Sequence, residues 1–411
     1  MSWTRDQVKT LADRILSFSK ANECEVALRL SEDGHTRFAA NDITTSGSSR
    51  TVTIGITSKE GGRSGSTTCD EIDDESLKEA VARSEALLAS ARPDPEQMEG
   101  LDLQTYPVIP GFDEATARAG PLERRDGVKA ALDRARGRGL DTSGFFETSA
   151  RWAAIANKKG NFGFHRSTNA EYSTTMRTSD GTGSGYASFG CPRLADLDPA
   201  TLAEKAARKA ETSIQPRDLP PGKYTVILEP EAVADLLGNL AFALNARSAD
   251  EGRSFLSKPG GGTRLGEKLF AESVNLRSDP FDKRNPGNPW VGSGGRGGGL
   301  GFNGFGGGGG GGLPARQTTW IENGVVKNLA VDRYWATKTK VAPLPFSGSL
   351  VMVGSSKSLE ALIAETERAL LVTRFWYIRV VNPQNAMVTG LTRDGVWLVE
   401  NGKIVHPVCN F

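Results

Sequence analysis

Apolar positions first recur at Val8, Leu11, Ala12, Ile15 and Leu16. That spacing stripes one face of a helix, and Thr4 ahead of acidic Asp6 supplies an N-cap, so a helix is predicted over 4–20. The period then drops to two. Residues 25–30, 35–40 and 51–57 alternate apolar and polar and read as strands, with Asp33-Gly34 and Gly61-Gly62 marking turns. A second helix is predicted over 74–90. The proline-bearing stretch 92–110 is weakly periodic and reads as a linker.

The same order of elements then returns. A helix is predicted over 121–137, strands over 150–156, 162–166, 171–177 and 185–189 with turns at 157–160 and 180–183, and a helix over 199–213 that stops before Pro216. Residues 76–83 (SLKEAVAR) and 201–208 (TLAEKAAR) share Leu, Glu, Ala and Arg at equal offsets, and Cys69 and Cys191 each lie shortly upstream. These matches point to an internal repeat, although Ala, Glu and Arg are common in any helix.

Past residue 218 the character changes. A strand over 223–228 is stopped by Glu229-Pro230, and the helix predicted over 231–245 carries Val233, Leu236, Leu237, Leu240 and Ala241 on one face. A polar stretch, 247–254, follows as a loop. Beyond residue 312 the signals are mostly strand. Asn323-Gly324 and Asn401-Gly402 each join two alternating runs (318–322 with 325–329, and 396–400 with 403–408), the two-residue hairpin signature. Further strands are predicted over 349–353, 370–381 and 386–391, and a helix over 356–368. The predicted fold is α+β: two similar helix–meander–helix units, at 1–98 and at 99–217 with its linker, then a mainly antiparallel β domain with a few helices over 218–411.

Composition adjusts this picture in three places. Of the 48 Gly, 15 fall between Val291 and Gly312, which leaves the rest of the chain near ordinary usage of ~7%. The excess is one local insert at 291–312. It precedes Leu313-Pro314 rather than a Lys-Ser/Thr and a helix, so it reads as a flexible tract and not a phosphate cradle. With 50 Lys+Arg against 49 Asp+Glu, the charge gives no general reason to expect nucleic acid or an anionic membrane as partner. The polar start and the lack of 18 uninterrupted apolar residues predict a cytoplasmic protein without a signal peptide.

Candidate chemistry is sparse. Cys24, Cys69, Cys191 and Cys409 form no C-x-x-C pair, and burial is their simplest role. His35, His165 and His406 are scattered. They form no metal-ligand cluster and have no nucleophile context, so His165 and His406 are expected to be surface or satisfied core residues. The loop 251–258 and the later 265–268 place Arg253, Ser254, Lys258 and Lys268 among glycines, where they could line a groove for peptide carboxylates or carbonyls. Solvated loop charges are the plainer alternative.

Taken in order, SEDGHTRFAAN (31–41), TVTIGIT (51–57), YTVILEPEAVADLL (224–237), GRSFLSK (252–258), LGEKL (265–269) and GVWLVENGKIVHPV (395–408) make the chain resemble the TldD/PmbA family of metallopeptidases over nearly its whole length. The resemblance implies a peptidase fold whose metal-carrying members hold an H-E-x-x-x-H motif on the helix after the first strand of the last domain. Aligning Leu236-Leu237 with the Leu pair before that motif puts Gly238 and Asn239 at the first His and the Glu, and Ala243 at the second His. It therefore implies a PmbA (TldE)-like chain that binds no metal and has no catalytic residue of its own. Such a chain would act on unstructured peptides with an H-E-x-x-x-H-bearing TldD-like subunit, which would carry the zinc, or with itself. Family members usually run tens of residues beyond the point matching Phe411, and in metal-carrying members that segment holds a Cys ligand; Cys409 is not read as one. A stand-alone peptidase with an unrecognised site and a non-catalytic peptide-binding scaffold are the alternative readings.

Overall fold

The computed structural model describes residues 3–292 and 311–411. The reading of the glycine tract as flexible falls, over 293–310, outside the described residues. The first half runs α1 (Arg5–Phe18), β1 (Glu23–Ala39), β2 (Asp42–Glu60), β3 (Arg63–Cys69), α2 (Asp74–Ser90), α3 (Glu114–Ala117), α4 (Pro121–Arg138), β4 (Leu140–Asn157), β5 (Phe162–Thr178), β6 (Ser184–Cys191) and α5 (Pro199–Thr212). Local chemistry sets the helix ends. Thr4 and Gln7 close a capping box on α1, Asp73 and Asp198 cap α2 and α5, and Gly139 ends α4 in the left-handed conformation at φ 65°.

The six strands form one antiparallel sheet in the order β3-β2-β1-β4-β5-β6. Its middle pair, β1 and β4, joins the two repeats, so the two units share a sheet rather than standing apart. Equivalent details recur on both sides. The Cys69 and Cys191 thiols donate to the carbonyls two residues on, and Gly65 and Gly185 let β3 and β6 pass against the backbones of α2 and α5, where a Cβ would lie 2.1 Å from a carbonyl oxygen. Leu28, Leu30, Ile54 and Ile56 pack under α1 and α2, and Tyr172, Met176 and Phe146 under α4 and α5. The opposite face of the sheet is left for the rest of the chain.

Asp33-Gly34 is not a turn. β1 runs straight through it, pairing Gly34 with Ser48 and Thr148, and the chain reverses at Ala40-Asn41. Gly34 is glycine because the buried Arg124 guanidinium occupies the place of its side chain, 2.5 Å from where a Cβ would sit. The pairs of strands predicted on either side of Gly34 and at 162–177 are likewise single long strands.

The second half contains β7 (Val226–Leu228), α6 (Pro230–Ala243), α7 (Ala246–Asp250), β8 (Asn275–Ser278), β9 (Thr318–Glu322), β10 (Val325–Val326), α8 (Arg333–Thr339), β11 (Leu350–Val353), α9 (Leu359–Ala364), β12 (Arg368–Asn382), β13 (Met387–Glu400) and β14 (Lys403–Pro407). They make two four-stranded sheets, β10-β9-β8-β11 and β14-β13-β12-β7, antiparallel except for β7 beside β12. Both Asn-Gly hairpins form, with positive φ at Asn323, Gly324, Asn401 and Gly402. The helix predicted over 356–368 shrinks to α9, because Arg368 already pairs with Glu400 in the sheet, and the predicted loop 247–254 contains α7, capped by Asn245.

The halves are joined by buried polar contacts. Arg374 on β12 donates through Nε to Asp394 at 2.9 Å and stacks 3.6 Å from the Tyr186 ring centroid, while Ser184 Oγ donates to the same carboxylate at 2.6 Å. Lys209 on α5 reaches Glu229 at 2.8 Å. Along the linker, Glu96 takes a bidentate grip from Arg247.

The flanks of the glycine tract are also tied together. Val291 N–H donates to Leu313 O at 2.9 Å, and Gly312 N–H donates to Val291 O at 3.0 Å. Joining Gly292 directly to Gly311 would make that second bond close a two-residue Gly-Gly β-turn. Removal of 293–310 leaves two residues of about twenty between Val291 and Gly312, a little over three halvings at about 0.6 kcal/mol each, and is therefore expected to shift unfolding free energy by no more than about 2 kcal/mol in a urea titration. A loss of several kcal/mol would mean that the tract makes packing contacts the fold needs.

Candidate functional site

A cleft of about 690 Å³ opens between the helix-free face of the six-stranded sheet and the second half of the chain. Strand alternation decides what its floor presents. Even-numbered positions of β5 such as Ala170, Tyr172 and Met176 are buried under the helices, so odd positions Ser167, Asn169 and Glu171 face the cleft, as do Glu147 and Arg151 of β4. Opposite lie Ala234, Leu237 and Gly238 of α6, the loop 284–292 and residues 346–350. One wall is thus polar sheet and another is an apolar helix face.

Charge on the floor is uneven. In the register, His35 stands opposite Glu147 and Glu147 opposite Glu171, and one row along Asp33, Ser149 and Asn169 stand side by side. Burial pushes the Glu147 carboxyl up from the ordinary glutamate range, and the neighbouring Asp33 charge adds to the rise. Arg151 lies 3.9 Å from both Asp33 and Glu147, too far for a hydrogen bond. Across the cleft Arg284 donates to Asp282, which holds that carboxyl down at about 2.

Of the three family metal positions, Gly238 lies on the cleft wall. Asn239 spends its amide on the carbonyl of Asp235 at 3.1 Å, and the Ala243 backbone carbonyl accepts from Ser254 Oγ at 3.3 Å. A glycine and an alanine offer no donor atom, and the asparagine amide is no base, so these residues do not fit a zinc ion. Among the described residues no three His, Cys, Asp or Glu side chains are grouped to hold a metal. The acids at the start of α6 serve the interface: Glu231 accepts from Ser188 Oγ and Asp235 from Phe375 N–H, and burial raises both carboxyls.

The loop residues singled out from the sequence lie outside the cleft lining. Arg253 is paired with Glu251, Lys258 with Glu267 at 3.0 Å and Lys268 with Glu272 at 3.5 Å, while Ser254 is buried beneath α6. His165 departs from its expected role: it is buried on the cleft-facing side of β5, yet among the described residues its Nε2 has no hydrogen-bond partner. Cys24, Cys69 and Cys191 are buried free thiols and Cys409 is partly exposed. Glu147 and Glu171 were not legible as a site, because their meeting depends on the β4–β5 register.

Three family models match the chain: PmbA/TldA metallopeptidase domain 1 over 24–88, the central domain over 121–214 and the C-terminal domain over 221–411. Similar solved structures include a proposed modulator of DNA gyrase from Bacteroides thetaiotaomicron (20% identity, TM-score 0.81, covering 99% of this chain and 90% of the other). A second proposed gyrase modulator, from Thermotoga maritima, is 18% identical with TM-score 0.81 over 98% of this chain and 90% of its own. TldE from Thermococcus kodakarensis is 20% identical with TM-score 0.80 over 98% and 89%. At these identities the likeness shows the fold. No curated protein matches the chain significantly.

Proposed function

This chain belongs to the PmbA/TldA metallopeptidase family, and from that premise we propose that it is the metal-free subunit of a cytoplasmic peptide-cleaving complex. The observation that carries the reading is the wall of the cleft. Gly238 borders the space where a metal-holding member would project its first histidine, and Asn239 and Ala243 leave the other two roles unfilled. The cleft itself is kept, with a polar floor and an apolar wall suited to an extended peptide. In this reading the chain binds or admits the peptide, and an H-E-x-x-x-H-bearing relative supplies the zinc and the hydrolysis. The reading includes no nucleic-acid or membrane partner. Among the described residues no helix is long and apolar enough to cross a bilayer.

The test is reconstitution. The purified chain is expected to retain less than stoichiometric zinc by elemental analysis and to leave an unstructured peptide intact. Mixed with an H-E-x-x-x-H-bearing relative from the same genome, it should co-elute with that chain and raise the rate of cleavage above that of the relative alone. One zinc per chain together with cleavage by the isolated protein would overturn the proposal, as would a relative whose rate is unchanged by the mixture.

A further inference from the structure

Glu147 and Glu171 stand directly across β4 and β5 from each other, and like charges so placed destabilise a sheet. Asp33 adds a third carboxyl on the same face. Its Oδ2 accepts from Ser31 Oγ at 2.7 Å, but its buried Oδ1 has no hydrogen-bond partner among the described residues. Among the described residues neither glutamate accepts a hydrogen bond, and Arg151 stops at 3.9 Å from Asp33 and Glu147. Arg284 on the far side is already answered by Asp282. Of the cations beside these three carboxyls, Arg151 is thus held off at 3.9 Å and Arg284 is already paired.

A second observation is independent of the acids. Ser149, between Asp33 and Asn169 in the register and between Glu147 and Arg151 along its strand, is 2% exposed, and among the described residues its hydroxyl has no hydrogen-bond partner. Its side chain is on the cleft face, since 147, 149 and 151 share one side of β4. Burying a hydroxyl without a partner costs free energy that a ligand group at this spot would recover. These groups are not clustered as metal ligands, which leaves an organic cation.

We propose that the Asp33, Glu147 and Glu171 surface, with Ser149 at its base, is a subsite for an ammonium group carried by a peptide in the cleft. This rests on the reading that the cleft receives the peptide. An ammonium has three donors and no acceptor, which suits a floor of free carboxylate oxygens and a hydroxyl that can accept. Beside it, Ala234 and Leu237 of α6 offer apolar contact to the neighbouring residue of the same peptide. The ammonium can be a peptide's N-terminal amine or a lysine side chain.

Fluorescence anisotropy on the isolated full chain tests the inference without any cleavage, so it succeeds or fails separately from the partner proposal. Four versions of one labelled, extended, single-lysine peptide are compared, with the N-terminus free or acetylated and the lysine free or acetylated. Removing the recognised ammonium is expected to weaken binding about five-fold, the scale of a partly exposed ion pair. Loss on N-terminal acetylation alone assigns the terminus, and loss on lysine acetylation alone assigns the side chain; either supports the subsite. Glu147→Gln and Glu171→Gln should each reduce the preference and the double variant should abolish it, while Glu267→Gln, which faces Lys258 outside the cleft, leaves it intact. Thermal melts check that each variant folds. Equal binding of all four peptides, absence of binding, or a preference that survives in the double variant would overturn it.

Discussion

Replacing Arg374 with methionine is expected to destabilise the protein by about 3–5 kcal/mol, the range for stripping one partner from a buried ion pair. Asp394 is 2% exposed and takes its charge-assisted bonds from Arg374, keeping otherwise, among the described residues, the Ser184 hydroxyl and Arg393 at 3.7 Å. The lost guanidinium also leaves the face of Tyr186. Since this group ties β12 and β13 to β6, the midpoint of urea unfolding should fall with the second half releasing first. Asp394 sits at φ 55°, a conformation that asparagine tolerates, so Asp394→Asn removes the charge without backbone strain. The double variant Arg374→Met/Asp394→Asn should be more stable than Arg374→Met alone, because an unpaired buried charge is the larger part of the cost. A single variant within about 1 kcal/mol of the parent would mean that solvent reaches Asp394.

The elements that local chemistry specifies were legible in the sequence. The cap at Thr4, the stripe from Val8 to Ile15 and both Asn-Gly turns act over a few residues, and the structure has them where the pattern puts them. The repeat was visible in 76–83 and 201–208 because both helices meet a β edge with the same spacing. What failed depended on distant partners. Asp33-Gly34 has the composition of a turn, and only the Arg124 guanidinium, ninety residues away in sequence, explains a glycine inside a strand. The ion pairs of Lys258 and Lys268, by contrast, are local, with Glu267 and Glu272 lying in the same loops. The family resemblance located Gly238 but not the floor facing it. Strand β4 begins at Leu140, ten residues before the alternating run from which it was recognised, so Glu147 belonged to no predicted strand.

Acidification from pH 7 to about 4 is expected to cost about 3 kcal/mol through His165 alone. The side chain is 7% exposed, and burial pushes its pKa down to about 4. An unfolded chain holds the same imidazole near 6.5. Between these values the unfolded state binds the proton and the folded state does not, so stability is complete above about pH 6.5 and declines as pH falls toward 4. Carboxylates titrate in the same range, and comparison with His165→Leu cancels them. The variant removes the imidazole without taking a hydrogen bond from Nε2, which has none among the described residues. Its melting temperature should therefore fall less steeply than the parent's between pH 6.5 and 4, and parallel curves would show that water or a protein acceptor reaches the ring. At neutral pH the imidazole is uncharged. His165 then adds no charge to the cleft-facing sheet, and an acid-induced change in peptide affinity that is shared by His165→Leu arises from other groups on that face, the Asp33, Glu147 and Glu171 carboxyls and His35 among them.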